Sequence, residues 1–304
     1  MLFTYVICIY DVFELFIKLI FYVCFVINQT KLNMNTLAMK HDHPRDKFIE
    51  FREHDHTYTI TYPGISNEHE FTSVTTWIHT LFEAFDADKV IENIKKGKNY
   101  SKSKYFGKTD DEIKAEWEHN RDNAARLGTT MHYHIECFYN NNHVNDESVE
   151  YSYFLEFEKN RLINASEKHW IPFRTEWTIF HEEYLFAGSI DMVFEDPNTN
   201  TLKIFDWKRS KEIKKSNPWQ KFSIVDSVSS IPDTNFWHYT LQLNIYRFIL
   251  ESKYNKVVDL LCLVCLHPEN KNRSFIRIKV PILSMDIMLL MKYRLEQLQE
   301  KRKV

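Results

Sequence analysis

The sequence predicts an α/β (α+β) domain, with helices around a mixed β-sheet core and a helical portion on its N-terminal side. Apolar residues recur at helical spacing in most segments between residues 75 and 162, then alternate as in strands between residues 174 and 207. Helical spacing returns at residues 237–252. Helices, then strands, then helices are typical of one domain built around a mixed sheet. The 304 residues supply enough length for a substantial core.

The domain is expected to span residues 55–304, because the polar residues 34–54 before it predict a linker. Residues 57–62 alternate polar and apolar side chains, residues 63–64 (Pro-Gly) mark a turn, and residues 70–74 complete a predicted β-hairpin. The scattered histidines of this region are interpreted as solvated loop residues, not metal ligands: His41, His43, His54 and His56.

Five helices are predicted next, at residues 75–85, 87–94, 109–127, 129–138 and 148–162. Asp86 is the expected N-cap of the second helix, and Thr109 with Glu112 forms a capping box at the start of the third. Gly128 is the predicted break between the third helix and the fourth.

The second half of the chain predicts the sheet and its last helices. Strands are expected at residues 174–179, 183–194, 202–207, 257–266 and 273–280. A turn at residues 196–198 separates the second and third strands, and helices are expected at residues 237–252 and 285–301. The sequence contains no internal repeat and no low-complexity segment.

Residues 1–33 are predicted to be a hydrophobic N-terminal extension, because 23 of the residues 1–28 are apolar. Asp11, Glu14 and Lys18 interrupt the apolar run, so insertion into a bilayer is energetically marginal. Three interpretations stay open: a membrane-associating helix, a dispensable segment upstream of a start at Met34, and a helix packed on the domain. Signal-peptide and transit-peptide features are absent.

Charge and glycine content exclude several function classes. The net charge of −3 shows no global basic surface of the kind that nucleic-acid-binding domains carry, although a groove needs only local charge. The five glycines are scattered, whereas dinucleotide and P-loop sites need clustered glycines for close approach of the backbone to phosphates. We therefore expect no nucleotide cofactor.

The five cysteines show no disulfide spacing, which favours an intracellular, reducing compartment. Nucleus, cytoplasm and mitochondrion all satisfy this condition. Cys262 and Cys265 lie three residues apart in a predicted strand and so point to opposite faces. Buried thiols are therefore favoured over zinc or iron–sulfur ligands.

Four short segments carry polar residues suited to catalysis. His132 and Glu136 are four residues apart on one helix face, where a surface pair is the simpler interpretation. Asp191 interrupts an apolar strand, a position that strand propensity disfavours. Asp206 and Lys208 share one face of the next strand.

The turn between these two strands is short enough for a hairpin to bring Asp191 and Asp206 together. Two carboxylates and a lysine are costly to bury unless they bind a cation. Carboxylate oxygens with an imidazole suit Mg²⁺, with Mn²⁺ as a substitute. Gln242 and Tyr246 form a polar pair on the apolar face of a later helix.

These segments resemble a known family. The segments 188–191 (Gly-x-x-Asp) and 206–208 (Asp-Trp-Lys) are similar to motifs II and III of the PD-(D/E)XK nuclease superfamily. With residues 128–136 before them and residues 242–246 after them, the chain resembles the RecB-like exonuclease branch, which includes mitochondrial genome maintenance exonucleases and proteins of large DNA viruses. The resemblance covers about residues 55–255. Motif II lacks a proline before its aspartate, and the four-cysteine set of iron–sulfur members is absent, so we expect no iron–sulfur cluster.

The resemblance implies a restriction-endonuclease-like fold and a Mg²⁺-dependent deoxyribonuclease, an exonuclease acting on single-stranded or duplex DNA ends in replication, recombination or repair. It further implies that His132, Asp191, Asp206 and the backbone carbonyl of Trp207 bind the metal. Lys208 would orient or acidify the attacking water and offset charge that develops on the phosphate.

Several further residues keep two interpretations. Glu176 and Glu136 are either structural ion-pair partners or supports of the metal site. Gln242 and Tyr246 either support the site and contact DNA or form hydrogen bonds in the core. Arg209 begins a basic run that is either a phosphate contact or a solvated loop, and the lysine-dense residues 95–104 have the same two interpretations.

Trp219 and Phe222 are expected to pack in the core rather than stack on bases. Three other functions compete with the exonuclease: a structure-selective endonuclease, a non-catalytic nucleic-acid-binding module that retains the fold, and a membrane-tethered scaffold built on residues 1–28.

Overall fold

The computed structural model describes residues 36–52, 54–65 and 70–301. The helices are α1 (Thr36–Lys40), α2 (Val74–His79), α3 (Ala87–Lys96), α4 (Asp110–Tyr139), α5 (Val149–Ile163), α6 (Asn235–Lys253) and α7 (Ser284–Lys301). The strands are β1 (Ile49–Arg52), β2 (Thr57–Ile60), β3 (Thr72–Ser73), β4 (Ile171–His181), β5 (Phe186–Asp196), β6 (Thr201–Lys208), β7 (Val258–Cys265) and β8 (Ile276–Lys279). The predicted α/β class is confirmed: a mixed multistranded sheet is flanked by helices.

Strand β5 is the centre of a six-stranded sheet, and one of its edges is divided. Antiparallel β4 occupies one edge of β5 over residues 186–195. On the other edge, parallel β3 pairs with residues 186–187 and antiparallel β6 pairs with residues 192–196. Residues 188–191 are therefore left between β3 and β6, which opens the sheet at the segment that carries Gly188 and Asp191.

Two hydrophobic clusters cover the two faces of the sheet. Helices α2, α6 and α7 contribute to one cluster, and the C-terminal half of α4 with α5 contributes to the other. Strand β7 shows the alternation, since Leu263 faces the first cluster and Cys262 the second. Cys137, Cys262 and Cys265 are buried and form no disulfide, and burial of the last two agrees with the prediction from their spacing.

The predicted hairpin of residues 57–62 with 70–74 is wrong. β2 pairs instead with β1, with Phe51 opposite Tyr58, while β3 joins the main sheet. Both predicted partners are short, and a two-residue strand such as β3 carries too little local pattern to identify its neighbour.

The predicted linker at residues 34–54 is also wrong for its described part, which packs on the sheet. Arg45 is buried, donates to the Phe180 carbonyl (3.3 Å) and to Glu182 (2.6 Å), and lies over the Phe180 ring. Asp46 accepts from Arg174 (2.6 Å) and from the Trp177 indole (3.0 Å). The polar composition of these residues suggested a solvated segment. Their partners lie more than 120 residues away in the chain, so the local sequence does not reveal them.

Gly128 does not end a helix, so the predicted break is wrong. Helix α4 runs through it for 30 residues, about 45 Å at 1.5 Å per residue. An interior glycine costs only about 1 kcal/mol relative to alanine. The buried residues Met131, Ile135 and Tyr139 beyond it hold the second half of the helix in place. The capping box at Thr109 is confirmed.

Several side chains differ from expectation in their exposure. His41 and His43 are half-buried against aromatic rings, whereas His54 and His56 are exposed as predicted. Trp219 is 81% exposed and Phe222 44% exposed, so the core packing predicted for both is wrong.

Residues 1–28 lie outside the described residues, as does the extension predicted there. Within residues 36–52, 54–65 and 70–301, no helix is both long and apolar enough to cross a bilayer.

Candidate metal centre

The β5–β6 hairpin places the two predicted aspartates at the point where its strands separate. Pairing ends at Met192 opposite Phe205, and Asp191 and Asp206 are the next residues on each strand. Asp191 Oδ2 accepts a hydrogen bond from the Trp207 backbone N–H at 2.8 Å. The hairpin thus brings both carboxylates to the gap beside residues 188–191.

Asp206 and Lys208 share one face of β6, as their spacing predicts. Their side chains form a buried ion pair with 2.7 Å between Oδ2 and Nζ. The Trp207 indole points the other way and packs against the rings of Phe154 and Phe157. This alternation leaves the Trp207 backbone, rather than its side chain, facing the carboxylates.

Helix α4 supplies His132. Its Nε2 atom lies 3.0 Å from the Trp207 carbonyl oxygen. Its Nδ1 atom lies 3.5 Å from Glu176 Oε1 and 3.7 Å from Asp191 Oδ2. The buried neighbours Met131 and Ile135 anchor this part of the helix, so His132 is held over the end of the hairpin.

Glu176 joins these residues from β4. It has a left-handed backbone (φ 41°) in the middle of a strand, a conformation that costs about 1–3 kcal/mol and is concentrated at functional sites. Ser189 donates to its Oε2 at 3.0 Å. Ligand atoms of His132, Glu176 and Asp191 all lie within 4.8 Å of one another. We call these three residues the acidic cluster.

Glu176 therefore occupies the place in the cluster where the family resemblance leads one to expect Asp206. Asp206 lies outside the 4.8 Å group, although its charge still acts on Asp191 and His132. Among the described residues, Glu136 is also outside this group, one turn of α4 beyond His132. The metal role of Asp206 stays a prediction.

Gly188 of one motif and Tyr246 of another are in close contact. A Cβ atom at Gly188 would lie 2.5 Å from a carbon of the Tyr246 ring, so only glycine lets this ring approach β5. Gln242 Nε2 lies 3.1 Å from the Tyr246 hydroxyl and 3.2 Å from the Thr75 hydroxyl. The pair therefore makes hydrogen bonds at the edge of the core beside Gly188, and its role in the site stays a prediction.

Several of the basic residues that the sequence offers as phosphate contacts are paired with carboxylates. Arg209 donates to Glu150 at the start of α5 (2.6 Å). In the lysine-dense segment, Lys95 pairs with Asp110 and Lys104 with Glu116. Lys208 lies 4.5 Å from the centre of the Tyr239 ring in addition to its pair with Asp206.

Burial shapes the charge state of the site. Burial raises the pKa of Asp191, and it raises the pKa of Asp206 to about 6 despite the opposing charge of Lys208. Burial alone would lower the pKa values of His132 and Lys208. The neighbouring carboxylates reverse this effect, taking the pKa of His132 to about 9 and that of Lys208 above its ordinary value.

A divalent cation fits this site on charge and donor chemistry. Glu176, Asp191 and Asp206 are three carboxyl groups against one lysine and one histidine, and those of Asp191 and Asp206 are largely shielded from water. Desolvated carboxylates are costly unless paired or bound to a metal. Oxygen donors with one imidazole suit Mg²⁺ or Mn²⁺.

Glu176, which the sequence left open between an ion pair and a metal-site role, belongs to the acidic cluster, whereas Tyr58 carries no sequence signal that could have singled it out. Glu176 is marked by its φ angle, which is set by tertiary structure. Tyr58, on β2, lies close enough for the charges of Glu176 and Asp191, together with burial, to raise the pKa of its phenol.

No protein-family model matches this sequence, and no curated protein matches it significantly. The resemblance of its motifs to a nuclease family therefore stays a prediction from the residues alone.

Proposed function

We propose that this protein is a metal-dependent DNA nuclease with a restriction-endonuclease-like fold, of the RecB-like exonuclease branch of the PD-(D/E)XK superfamily. The observation that carries the proposal is the meeting of His132, Glu176 and Asp191 beside the buried Asp206–Lys208 pair. These side chains come from one helix and three consecutive strands, at an opening in the sheet edge.

The acidic cluster would hold the cation, with Asp206 and the Trp207 carbonyl as the adjacent oxygen donors. A bound divalent cation supplies an activated water and stabilises charge on the phosphate and leaving oxygen. His132 contributes its ring nitrogen, and the Trp207 N–H keeps the Asp191 carboxylate oriented.

Lys208 acts as a fixed positive charge in this proposal. The charges of Asp206 and Asp191 keep its ammonium protonated, which makes it unsuited to accept a proton from water. It instead orients the attacking water and offsets charge that develops on the phosphate. Gln242 and Tyr246 hold the floor of the site against Gly188.

The charge imbalance favours catalysis over simple nucleic-acid binding. A binding module gains affinity from exposed Lys and Arg, whereas this site keeps buried carboxylates that destabilise the fold unless a cation is bound. The exonuclease part of the proposal, and a role at DNA ends in replication, recombination or repair, rest on the family resemblance.

The test uses the full-length protein with end-labelled single-stranded DNA, end-labelled duplex DNA and a covalently closed circle, each with Mg²⁺, Mn²⁺ or EDTA. We expect linear DNA to shorten progressively from one end with metal only. Asp191→Asn should lower the rate by about 10³-fold, since metal chemistry contributes several kcal/mol. Glu118→Gln, an exposed change on the same α4 helix, is the matched control.

Metal binding is read separately by melting temperature. A cation at 100 times its Kd adds about 2.7 kcal/mol to the free energy of unfolding, a gain that Asp191→Asn should abolish. Cleavage of the closed circle would instead identify the endonuclease. Metal and DNA binding without cleavage of any substrate would refute the nuclease and leave the binding module.

A further inference from the structure

A cleft of about 840 Å³ lies between the β1–β2 hairpin and the start of α2. Gly188 and Tyr246 are among the residues that line it, and Gly188 lies on β5, the strand that carries Asp191. Its size is that of a site for a small ligand, enough for about two nucleotides and too small for a double helix.

The hairpin wall of the cleft carries a row of aromatic rings. Phe51 and Tyr58 are cross-strand partners with ring centres 4.7 Å apart, and His56 follows at 5.9 Å from Phe51. The row begins at exposed His56 and ends at Tyr58. Burial and the charges of Glu176 and Asp191 raise the pKa of the Tyr58 phenol.

The charge of the cleft indicates which part of a polynucleotide it would accept. Among the described residues that line it, none is lysine or arginine, and Glu70 carries a negative charge there. A phosphate backbone would be repelled by such a lining. Nucleobases, in contrast, stack on aromatic side chains, and hydroxyls such as those of Thr57, Thr59 and Thr75 offer hydrogen bonds to base edges.

We propose that this cleft binds unpaired nucleotides at the end of a DNA strand, with bases stacked on the Phe51–Tyr58 pair and the phosphate directed toward the cation that the acidic cluster would hold. The inference rests on the proposed function for the direction of the strand toward the cluster. It assigns Phe51 and Tyr58 as binding residues for bases, and it makes the cleft the part of the protein that distinguishes unpaired from paired ends.

The experiment measures binding of two labelled probes to the full-length protein in EDTA by fluorescence anisotropy. One probe is a ten-residue oligothymidylate, and the other is the same sugar-phosphate chain without bases. Phe51→Leu keeps apolar packing on the hairpin and removes the ring, whereas Phe51→Trp keeps an aromatic face. Phe85→Leu, at an aromatic residue that is 73% exposed elsewhere, is the control.

We expect Phe51→Leu to weaken oligothymidylate binding by about 10-fold and to leave the abasic probe unchanged, because stacking acts on bases alone. Phe51→Trp and Phe85→Leu should bind both probes like the unmodified protein. Equal weakening of both probes, or no change in either, would overturn the inference.

The two proposals fail in different ways. If Mg²⁺-dependent cleavage is present but Phe51→Leu changes neither probe affinity nor KM, the nuclease stands and the base-binding cleft is wrong. If no cleavage occurs while oligothymidylate binding still depends on the Phe51 ring, the cleft stands and the nuclease is wrong.

Discussion

Helix α4 contributes to two groups of charged side chains, which differ in their balance of charge. Two turns beyond His132, Tyr139 donates to Glu158 Oε2 at 2.9 Å, and Arg161 donates to the same carboxylate at 2.8 Å. Arg161 also donates to the Trp170 carbonyl at 2.9 Å. In this second group, which we call the Glu158–Arg161 pair, one negative charge meets one positive charge and the hydrogen bonds are made within the protein.

The acidic cluster lacks that balance. Its carboxylates and Asp206 outnumber the nearby cations, and Glu176 holds a left-handed backbone to reach it. A balanced buried pair is explained by folding alone, whereas an unbalanced one with a strained member needs a ligand to explain it. This difference between the two groups is the feature that the proposed metal site would explain.

The largest expected effect tests the balanced group. Arg161→Met should lower the free energy of unfolding by about 3–5 kcal/mol, because it leaves the Glu158 carboxylate buried without a positive partner. Urea denaturation followed by circular dichroism measures this change. The double variant Glu158→Leu/Arg161→Met should recover much of the loss, since no charge is then left unpaired. A double variant as unstable as Arg161→Met would show that packing, not charge, holds this group.

Removing a charge from the acidic cluster should raise the free energy of unfolding rather than lower it. In metal-free buffer, Asp191→Asn should raise the free energy of unfolding by about 2 kcal/mol, because burial disfavours the Asp191 carboxylate and asparagine keeps an acceptor for the Trp207 N–H. The same denaturation assay with EDTA measures it. A clear loss of stability would mean that Asp191 is a structural residue, and the contrast between the two groups would disappear.

A smaller effect on stability is expected from His181, a buried histidine outside the candidate site. His181 is buried on the same strand as Glu176, but burial lowers its pKa from 6.5 to about 3, whereas carboxylates raise that of His132. The unfolded chain takes up a proton at this histidine below pH 6.5, so stability falls as the pH falls from 6.5 toward 3. From pH 8 to pH 6 this one group costs about 1 kcal/mol.

His181→Phe keeps the ring contacts with Tyr184 and Phe248 and removes the titration. Its free energy of unfolding should therefore drop by about 1 kcal/mol less than that of the unmodified protein between these pH values. Urea denaturation at both pH values gives the comparison, and His54→Gln at an exposed position is the control. An unchanged pH dependence in His181→Phe would exclude this histidine as a source of acid sensitivity.

The sequence alone determined the features that depend on neighbours in the chain. Hydrogen bonds and side-chain periodicities that span a few residues determine three such features. They are the capping box at Thr109, the β5–β6 hairpin and the shared face of Asp206 and Lys208. Asp191 could be singled out because a charge in an apolar strand conflicts with local preference.

Tertiary structure decided what depends on distant contacts. Arg45 holds the segment predicted as a linker against the sheet, because its partners lie in β4 and the turn after it. Strand β2 pairs with β1 rather than with residues 70–74. The left-handed backbone of Glu176 is held by the strands around it, and Tyr58 reaches the acidic cluster only once its hairpin is placed. Local patterns contain neither the pairing of remote strands nor the strain that packing imposes. For this reason the left-handed backbone of Glu176 and the place of Tyr58 were visible only in the folded protein.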